Sequence, residues 1–391
     1  MSSYDIDSFL ENTQAPMVWQ QPEQFKLDSE AAVNELGERI ASGVVTSVID
    51  PVEAIADDLY ELHNPAIKAD DAARAAFVSD VLAQGKAFGT WHHMPWSGAL
   101  VRFPDVADHR ALRTSRNRNL ITAPEQAVLY ASKMAIFGLS VGSNIVERLV
   151  LSGIGGSIAM GDFDRLSPSN LNRINGVFSD VGAGKIDLMA RKISEVDPYI
   201  EQTHFHQGFN ASIVPELSSF APSVIFDEVD QMQAKAQMRA FAMEQGVPLI
   251  MATDLGDRSL IDVERHDLGT AKPFHGKVKK ELFDRMVSGD ISDDERKKLT
   301  AKIVGLRHVT TRMLESLMEV EKTIPGLPQL GTTASMGGSL AAVAAREIVL
   351  GHELPSGRYV SSPKTVLKLK PQASAPAMAK TARSFIKSSK S

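Results

Sequence analysis

Between residues 111 and about 255, short apolar runs alternate with stretches whose apolar residues recur at three- and four-residue spacing. Met134-Ala-Ile-Phe reads as a buried strand, Gly138-Leu-Ser-Val-Gly142 as a tight turn, and NIVERLVLSG as a helix. GSIAMGDFD is a second strand and GKIDLMARKISEVDP a second helix; EQTHFH and PSVIFDEVD read as strands, QAKAQMRAFAMEQG as a helix and VPLIMATD as a strand. This alternation predicts an α/β fold with a doubly wound, mostly parallel sheet, which binds ligands at the carboxyl ends of its strands. Residues 1–110 read as mainly helical, on AAVNELGERIASG and PVEAIADDLYELHN, with GALVRF a strand at the end of TWHHMPWSGALVRFP. Residues from about 256 to 325 read as a charged helical insertion. PQLGTTASMGGSLAAVAAREIVLG comes next as a loop and a helix small enough in side chain to pack closely.

Composition narrows the classes. With 391 residues, 43% of them hydrophobic, the chain can bury a large core. No apolar run reaches the ~18 residues a membrane span needs, and the acidic start MSSYDIDSFLENTQ is not a secretory signal. The expectation is a cytoplasmic protein. There are no cysteines, which excludes disulfides, zinc–thiolate sites, iron–sulfur clusters and a cysteine nucleophile. The net charge of −6 is uneven: residues 357–391 hold eight Lys or Arg and no acid, which leaves −14 for the rest. A tail of that kind either binds nucleic acid or an acidic partner, or is a solvated terminus. The expected organisation is an accessory region over 1–110, a nucleotide-type domain over 111–352, and a basic flexible tail over 353–391.

The turn Gly138-Leu-Ser-Val-Gly142 fits two chemistries. It matches G-x-S-x-G, the nucleophile elbow of hydrolases, and it equally suits a loop holding phosphate at a helix N-terminus. A hydrolase needs an acid and then a histidine after Ser140; His308 and His352 are late enough, but neither lies in a supporting setting. The nucleotide alternative has more parts. Asp162 and Asp164 end the second strand, with Asp162 24 residues after Gly138, where dinucleotide-type folds bind ribose hydroxyls. Asn170, Arg173 and Lys185 come after them and suit a polyphosphate. Asp230 ends the next strand segment, where a carboxylate beside phosphates would hold Mg²⁺. Taken singly, Asp162 and Asp164 are turn caps, Lys185 a solvated lysine and Asp230 a helix cap; the set favours a nucleotide. Asp254 and Asp257 are substrate-site acids or turn residues. His275 overhangs the same region, and the adjacent His92 and His93 read as structural.

GDFDRLSPSNLNR, VGAGK, FDEVDQ and GVPLI together resemble the E1-like ThiF/MoeB/HesA superfamily of carboxylate-adenylating enzymes, over residues 111–352. The resemblance implies a Rossmann-like adenylation domain that uses ATP and Mg²⁺. It implies that Gly138, Ser140 and Gly142 form the nucleotide loop, with Asp162 on the ribose, Asn170 and Arg173 on the phosphates, Lys185 on the nucleotide and phosphates, and Asp230 on the metal. Arg118, in Arg116-Asn-Arg118-Asn, matches an arm that reaches the partner subunit's triphosphate, implying a homodimer. Lys235 stands where the family often has Arg. Two departures stand out. The loop GLSVGS is a residue shorter than the family's GxGGxGS, with Ser140 for a glycine, and the family's catalytic and zinc-binding cysteines are missing. An acyl adenylate would therefore pass to an acceptor held in the site. The carboxylate belongs to a peptide, a small molecule, a modified tRNA or a ubiquitin-like carrier. A degenerate nucleotide-binding scaffold is the alternative class; a nicotinamide oxidoreductase shares the first strand–turn–helix but leaves SNLNR and Asp230 without a role.

Overall fold

A computed structural model describes residues 18–66, 71–305, 308–369 and 381. The first elements are β1 (Glu23–Phe25), α1 (Glu30–Ala41), β2 (Ser47–Ile49), α2 (Val52–His63), α3 (Asp71–Ala83), β3 (Thr90–Met94) and β4 (Ala99–Phe103). Four short strands here form a sheet in the order β1-β3-β4-β2. The region expected to be mainly helical is thus a small α/β unit. Its three-residue strands carry too little alternation to stand out in sequence. His92 and His93 alternate across β3: His92 packs edge-on against Phe103 and Tyr199, while a His93 ring nitrogen lies 3.2 Å from the Val44 carbonyl. Both are structural.

Hydrogen bonds tie this unit to the rest of the chain. Trp96 donates to Glu195 at 2.7 Å, and the Tyr199 hydroxyl donates to the Pro104 carbonyl at 2.6 Å.

The main sheet is built from β5 (Lys133–Phe137), β6 (Ser157–Gly161), β7 (Glu201–Phe205), β8 (Val224–Asp227), β9 (Leu249–Asp254), β10 (Ser259–Glu264) and β11 (Gly357–Ser361), after the helices α4 (Val106–Arg113) and α5 (Ala123–Ala131). Its order is β11-β10-β9-β8-β5-β6-β7. β9, β8, β5, β6 and β7 run parallel, and β10 and β11 are antiparallel additions at one edge. Helices α6 (Val141–Leu151), α7 (Lys185–Val196), α8 (Val214–Phe220) and α9 (Met232–Gln245) cover its faces. Met134 through Phe137 are wholly buried, as a central parallel strand requires.

Between β10 and the last long helix lie α10 (Lys280–Ser288), α11 (Asp293–Val304) and α12 (Thr311–Leu317), where the charged insertion was expected. The long helix α13 (Gly331–Val349) packs on α6 and on the sheet. A Cβ at Gly338 would stand 2.7 Å from the Asn144 backbone, so glycine here permits the close crossing.

β11 lies beyond the expected domain end at 352. Arg358 in it donates to Asp262 at 2.8 Å, and Lys364 pairs with Asp257. The start of the basic tail is part of the sheet; Lys370, Lys380, Arg383, Lys387 and Lys390 lie outside the described residues. Among the described residues no helix is long and apolar enough to cross a membrane.

A buried charge network ties the end of β8 to the antiparallel strand β10. Arg239 on α9 is fully buried, with Nη1 on Asp227 and Nε on Glu264 at 2.8 Å, and its guanidinium lies 3.9 Å from the Phe274 ring centre. Burial would raise the Asp227 carboxyl, but Lys235 and Arg239 hold it below its ordinary value. Removing one partner of such a pair leaves uncompensated charge and costs about 3–5 kcal/mol. Arg239→Ala is therefore expected to lower the unfolding free energy obtained from urea titration by an amount of that order, whereas Arg285→Ala, on the exposed Arg285–Glu295 pair, should leave it nearly unchanged.

Candidate functional site

The turn after β5 is shaped by close approach. Gly138 has φ +90°, and a Cβ there would fall 2.3 Å from the Glu228 carbonyl oxygen, so the turn and the end of β8 touch backbone to backbone. Ser140 then caps α6 without a side-chain hydrogen bond to the helix. α6 begins at the carboxyl end of the sheet, directly after β5, where the N–H groups of a helix start favour an anion. Gly142 sits in the first turn of α6 against Ile136 and Glu228.

Asp162 comes directly after β6. One oxygen accepts the Leu139 N–H at 2.6 Å and the other the Asp164 N–H at 2.7 Å, which fastens the acid to the glycine loop. Burial raises its pKa, opposed by Lys185. Lys185 opens α7, is itself buried, and donates to Asp164 at 2.7 Å, with Asp162 3.9 Å away. Asn170 uses its side-chain oxygen to accept the Ser167 N–H at 3.2 Å, so it shapes the SNLNR turn.

Arg173 closes that turn back onto the glycine loop: its Nε donates to the Ser140 hydroxyl at 3.0 Å. Its other bonds are local, to the Ser169 carbonyl and Asn172, and Asn144 of α6 holds its carbonyl at 2.9 Å. Burial lowers the Arg173 pKa, while the negative charges of Asp254 and Asp230 raise it. The structure thus brings Arg173, Ser140, Asp230 and Asp254 to one place from four separate segments. Ser140 is met by a guanidinium, not by an imidazole base, which removes the basis for a hydrolase elbow. His352 is engaged with Glu347 and His275 with Asp262.

Three expected residues stand differently. Lys235 pairs with Asp227 at 3.0 Å, behind the loop that carries Asp230. Arg118 is exposed on the arm before α5, next to Leu120, which is 88% exposed; among the described residues no hydrogen bond or ion pair joins it to the Arg173 cluster. Asp230 is exposed, and among the described residues no group of three or more His, Asp or Glu side chains is arranged to hold a metal ion.

Asp254 carries the strongest signal that the sequence understated. Burial pushes its pKa up to about 6, against the pull of Arg173, and neither of its oxygens has a hydrogen-bond partner. Glu228, beside it, is raised well above the ordinary carboxylate range, first by burial, with only the Ala252 N–H bound to it at 2.7 Å. A groove of about 600 Å³ opens next to Arg173, lined by Asn144, Arg148, Leu171, Gly331 and Ser335.

The profile of the ThiF family matches residues 114–380. The chain belongs to the ThiF family. An uncharacterized protein of Mycobacterium tuberculosis is 36% identical over 289 residues, covering 71% of this chain but only 38% of that protein. The tRNA threonylcarbamoyladenosine dehydratase of Bacillus subtilis is 25% identical over 189 residues, 46% of this chain and 74% of the enzyme. Among solved structures, PaaA is 20% identical with a TM-score of 0.45, covering 66% of this chain and 77% of its own. The Escherichia coli tRNA N6-threonylcarbamoyladenosine dehydratase, in complex with ATP, is 19% identical with a TM-score of 0.43, covering 61% and 94%. The likeness to these solved structures is one of fold alone.

The raised Asp254 pKa has a stability consequence. A carboxyl that holds its proton more tightly folded than unfolded makes the native state bind more protons between pH ~4 and ~6, so stability falls as pH rises through that window. Asp254→Asn is expected to melt higher than the wild type at pH 7.5, by a free energy on the order of 1–2 kcal/mol. The gap should close as pH is lowered toward 4, read by thermal melts at each pH.

Proposed function

We propose that this chain uses ATP and Mg²⁺ to adenylate a carboxylate, forming an acyl adenylate and pyrophosphate, and passes the acyl group on without a cysteine thioester. The reading rests above all on the 3.0 Å bond from Arg173 to Ser140, which sets a cation against the amino end of α6. Membership of the ThiF family and the ATP complex of the Escherichia coli dehydratase support it.

In this reading the triphosphate lies on the α6 N–H groups and the Ser140 hydroxyl. Arg173 and Lys185 stabilise the charge that collects on the departing pyrophosphate. Asp162 takes the ribose; its oxygens accept one backbone N–H each, which leaves lone-pair capacity for hydroxyl donors. Asp230, a carboxylate beside phosphate-binding cations, fits Mg²⁺, which uses one or two carboxylates together with substrate phosphates. The ion there supplies charge neutralisation as the triphosphate breaks. The reacting carboxylate would enter between Arg173 and the β9 end, attack the α-phosphate in line, and be activated for transfer. Much of the rate comes from positioning.

The exposed arm with Arg118 and Leu120 suits docking of a second copy of the chain that lends Arg118 to the neighbouring triphosphate. The carboxylate is that of a peptide, a small molecule, a modified tRNA or a ubiquitin-like carrier; the named tRNA substrate of the Bacillus subtilis relative supports the third.

ATP–pyrophosphate exchange with the purified chain, Mg²⁺ and a panel of these carboxylates tests the reading. The expected result is exchange stimulated by one class and reduced about 100-fold or more in Arg173→Ala and Asp230→Ala, both variants remaining folded by circular dichroism. ATP binding with no exchange from any carboxylate would favour a nucleotide-binding scaffold, and no ATP binding would overturn the reading.

A further inference from the structure

Arg173 is gripped at both ends by one helix. Its Nε donates to the Ser140 hydroxyl at 3.0 Å, and its backbone carbonyl accepts from Asn144 Nδ2 at 2.9 Å. Ser140 caps α6 and Asn144 stands four residues on, inside its first turns. Residues at that spacing are neighbours on one side of a helix. The guanidinium and the main chain of Arg173 are thereby tied to successive turns of α6. The other bonds of the Arg173 side chain go to the Ser169 carbonyl and to Asn172 in its own turn. Both of those residues are exposed, so these bonds travel with the turn and do not place it against the helix.

Asn144 is itself held from behind. It is buried, and its side-chain oxygen accepts the Ser335 hydroxyl of α13 at 3.1 Å. A backbone carbonyl can only accept, so the Arg173 side must receive the amide N–H and the Ser335 side the amide oxygen. Both ends of the carboxamide are used, and its orientation is fixed. The crossing with α13 leaves no slack. A Cβ at Gly338 would stand 2.7 Å from the Asn144 Cβ, and one at Gly331 would stand 2.2 Å from the Asn172 carbonyl oxygen, next to Arg173. α13 therefore backs both Asn144 and the turn that ends in Arg173.

We propose that Asn144 is a positioning residue for the adenylation step: it holds Arg173 where the guanidinium meets the two phosphates that leave as pyrophosphate, and Ser335 orients it for that task. This deepens the adenylation reading and rests on it. Asn144 acts on the nucleotide through Arg173. Without its N–H the Arg173 carbonyl loses its tie to α6, and the guanidinium keeps only the Ser140 hydroxyl on that helix. A charge-assisted contact to phosphate depends on geometry, so a loosened Arg173 gives up part of it. The effect is confined to ligands that carry the phosphates Arg173 is set to meet, and it vanishes once Arg173 is gone.

The test measures binding to the full chain by calorimetry in the presence of Mg²⁺, with ATP, inorganic pyrophosphate and AMP as the probes. Asn144→Ala is expected to weaken ATP and pyrophosphate about 10-fold and AMP by less than about twofold, since AMP lacks the two phosphates in question. Asn144→Leu, close to asparagine in shape but without a donor, should behave the same way, which separates the lost hydrogen bond from a packing defect. Ser335→Ala should show the same pattern at a smaller size. In an Arg173→Ala background, Asn144→Ala should cost nothing further, because residues that act through one another are not additive. An Asn144→Ala loss that falls equally on AMP, or that adds in full to Arg173→Ala, would overturn the proposal and leave Asn144 as a general support of the fold. So would Asn144 variants, or an Arg173→Ala protein, that bind all three probes as the wild type does. A wild type that binds neither ATP nor pyrophosphate would instead sink the adenylation reading, and this proposal with it.

Discussion

The Arg239 guanidinium, buried between Asp227 and Glu264, is the constraint on which the join of β8 to the antiparallel side of the main sheet depends. It joins α9 to β8 and β10 in a medium where an unpaired charge is too costly to leave. With Lys235 on the other oxygen of Asp227, it fixes where β8 ends. The next residue, Glu228, lies backbone to backbone against Gly138 and holds the Ala252 N–H. The glycine loop, the loop carrying Asp230 and the end of β9 are therefore set relative to one another by charges several residues behind them.

On that frame, cations and anions are sorted by distance from the glycine loop. Arg173 reaches Ser140, while Lys185 sits deeper between Asp162 and Asp164. Asp162, Asp164, Asp227 and Glu228 each hold a donor, whereas both buried oxygens of Asp254 are without one. A polyphosphate at the amino end of α6 would set its negative charge against Arg173.

Much of this arrangement was legible from local pattern. MAIF before a glycine turn and an apolar-periodic stretch names a strand, turn and helix, because burial on both faces and the 3.6-residue period leave distinct marks. Asp162, Arg173 and Lys185 were legible through their order after that turn. Asp254 was harder to read: an aspartate at a strand end looks the same whether it caps a turn or is buried without a donor, and only the packing around it tells the two apart. In the sheet formed by β1 to β4, GALVRF was read as a strand and is β4, while β1 and β2 were missed for another reason. Strands of three residues show too few alternating positions to reveal a face.

Sequence alone determined the alternation of strands and helices, the absence of any thiol chemistry, and the set of charged residues offered to a nucleotide, since each of these is a property of residue type and spacing. Tertiary structure decided which of them meet. Ser140 and Arg173 are 33 positions apart and share a hydrogen bond; Asp262 takes Arg358 from a segment that reads as a basic tail; Gly337 lets α13 close over Ser259 from far along the chain. Such pairings arise from how the sheet orders its strands and how closely α13 approaches it, and both are settled by burial and packing across the whole chain, beyond the reach of any local stretch.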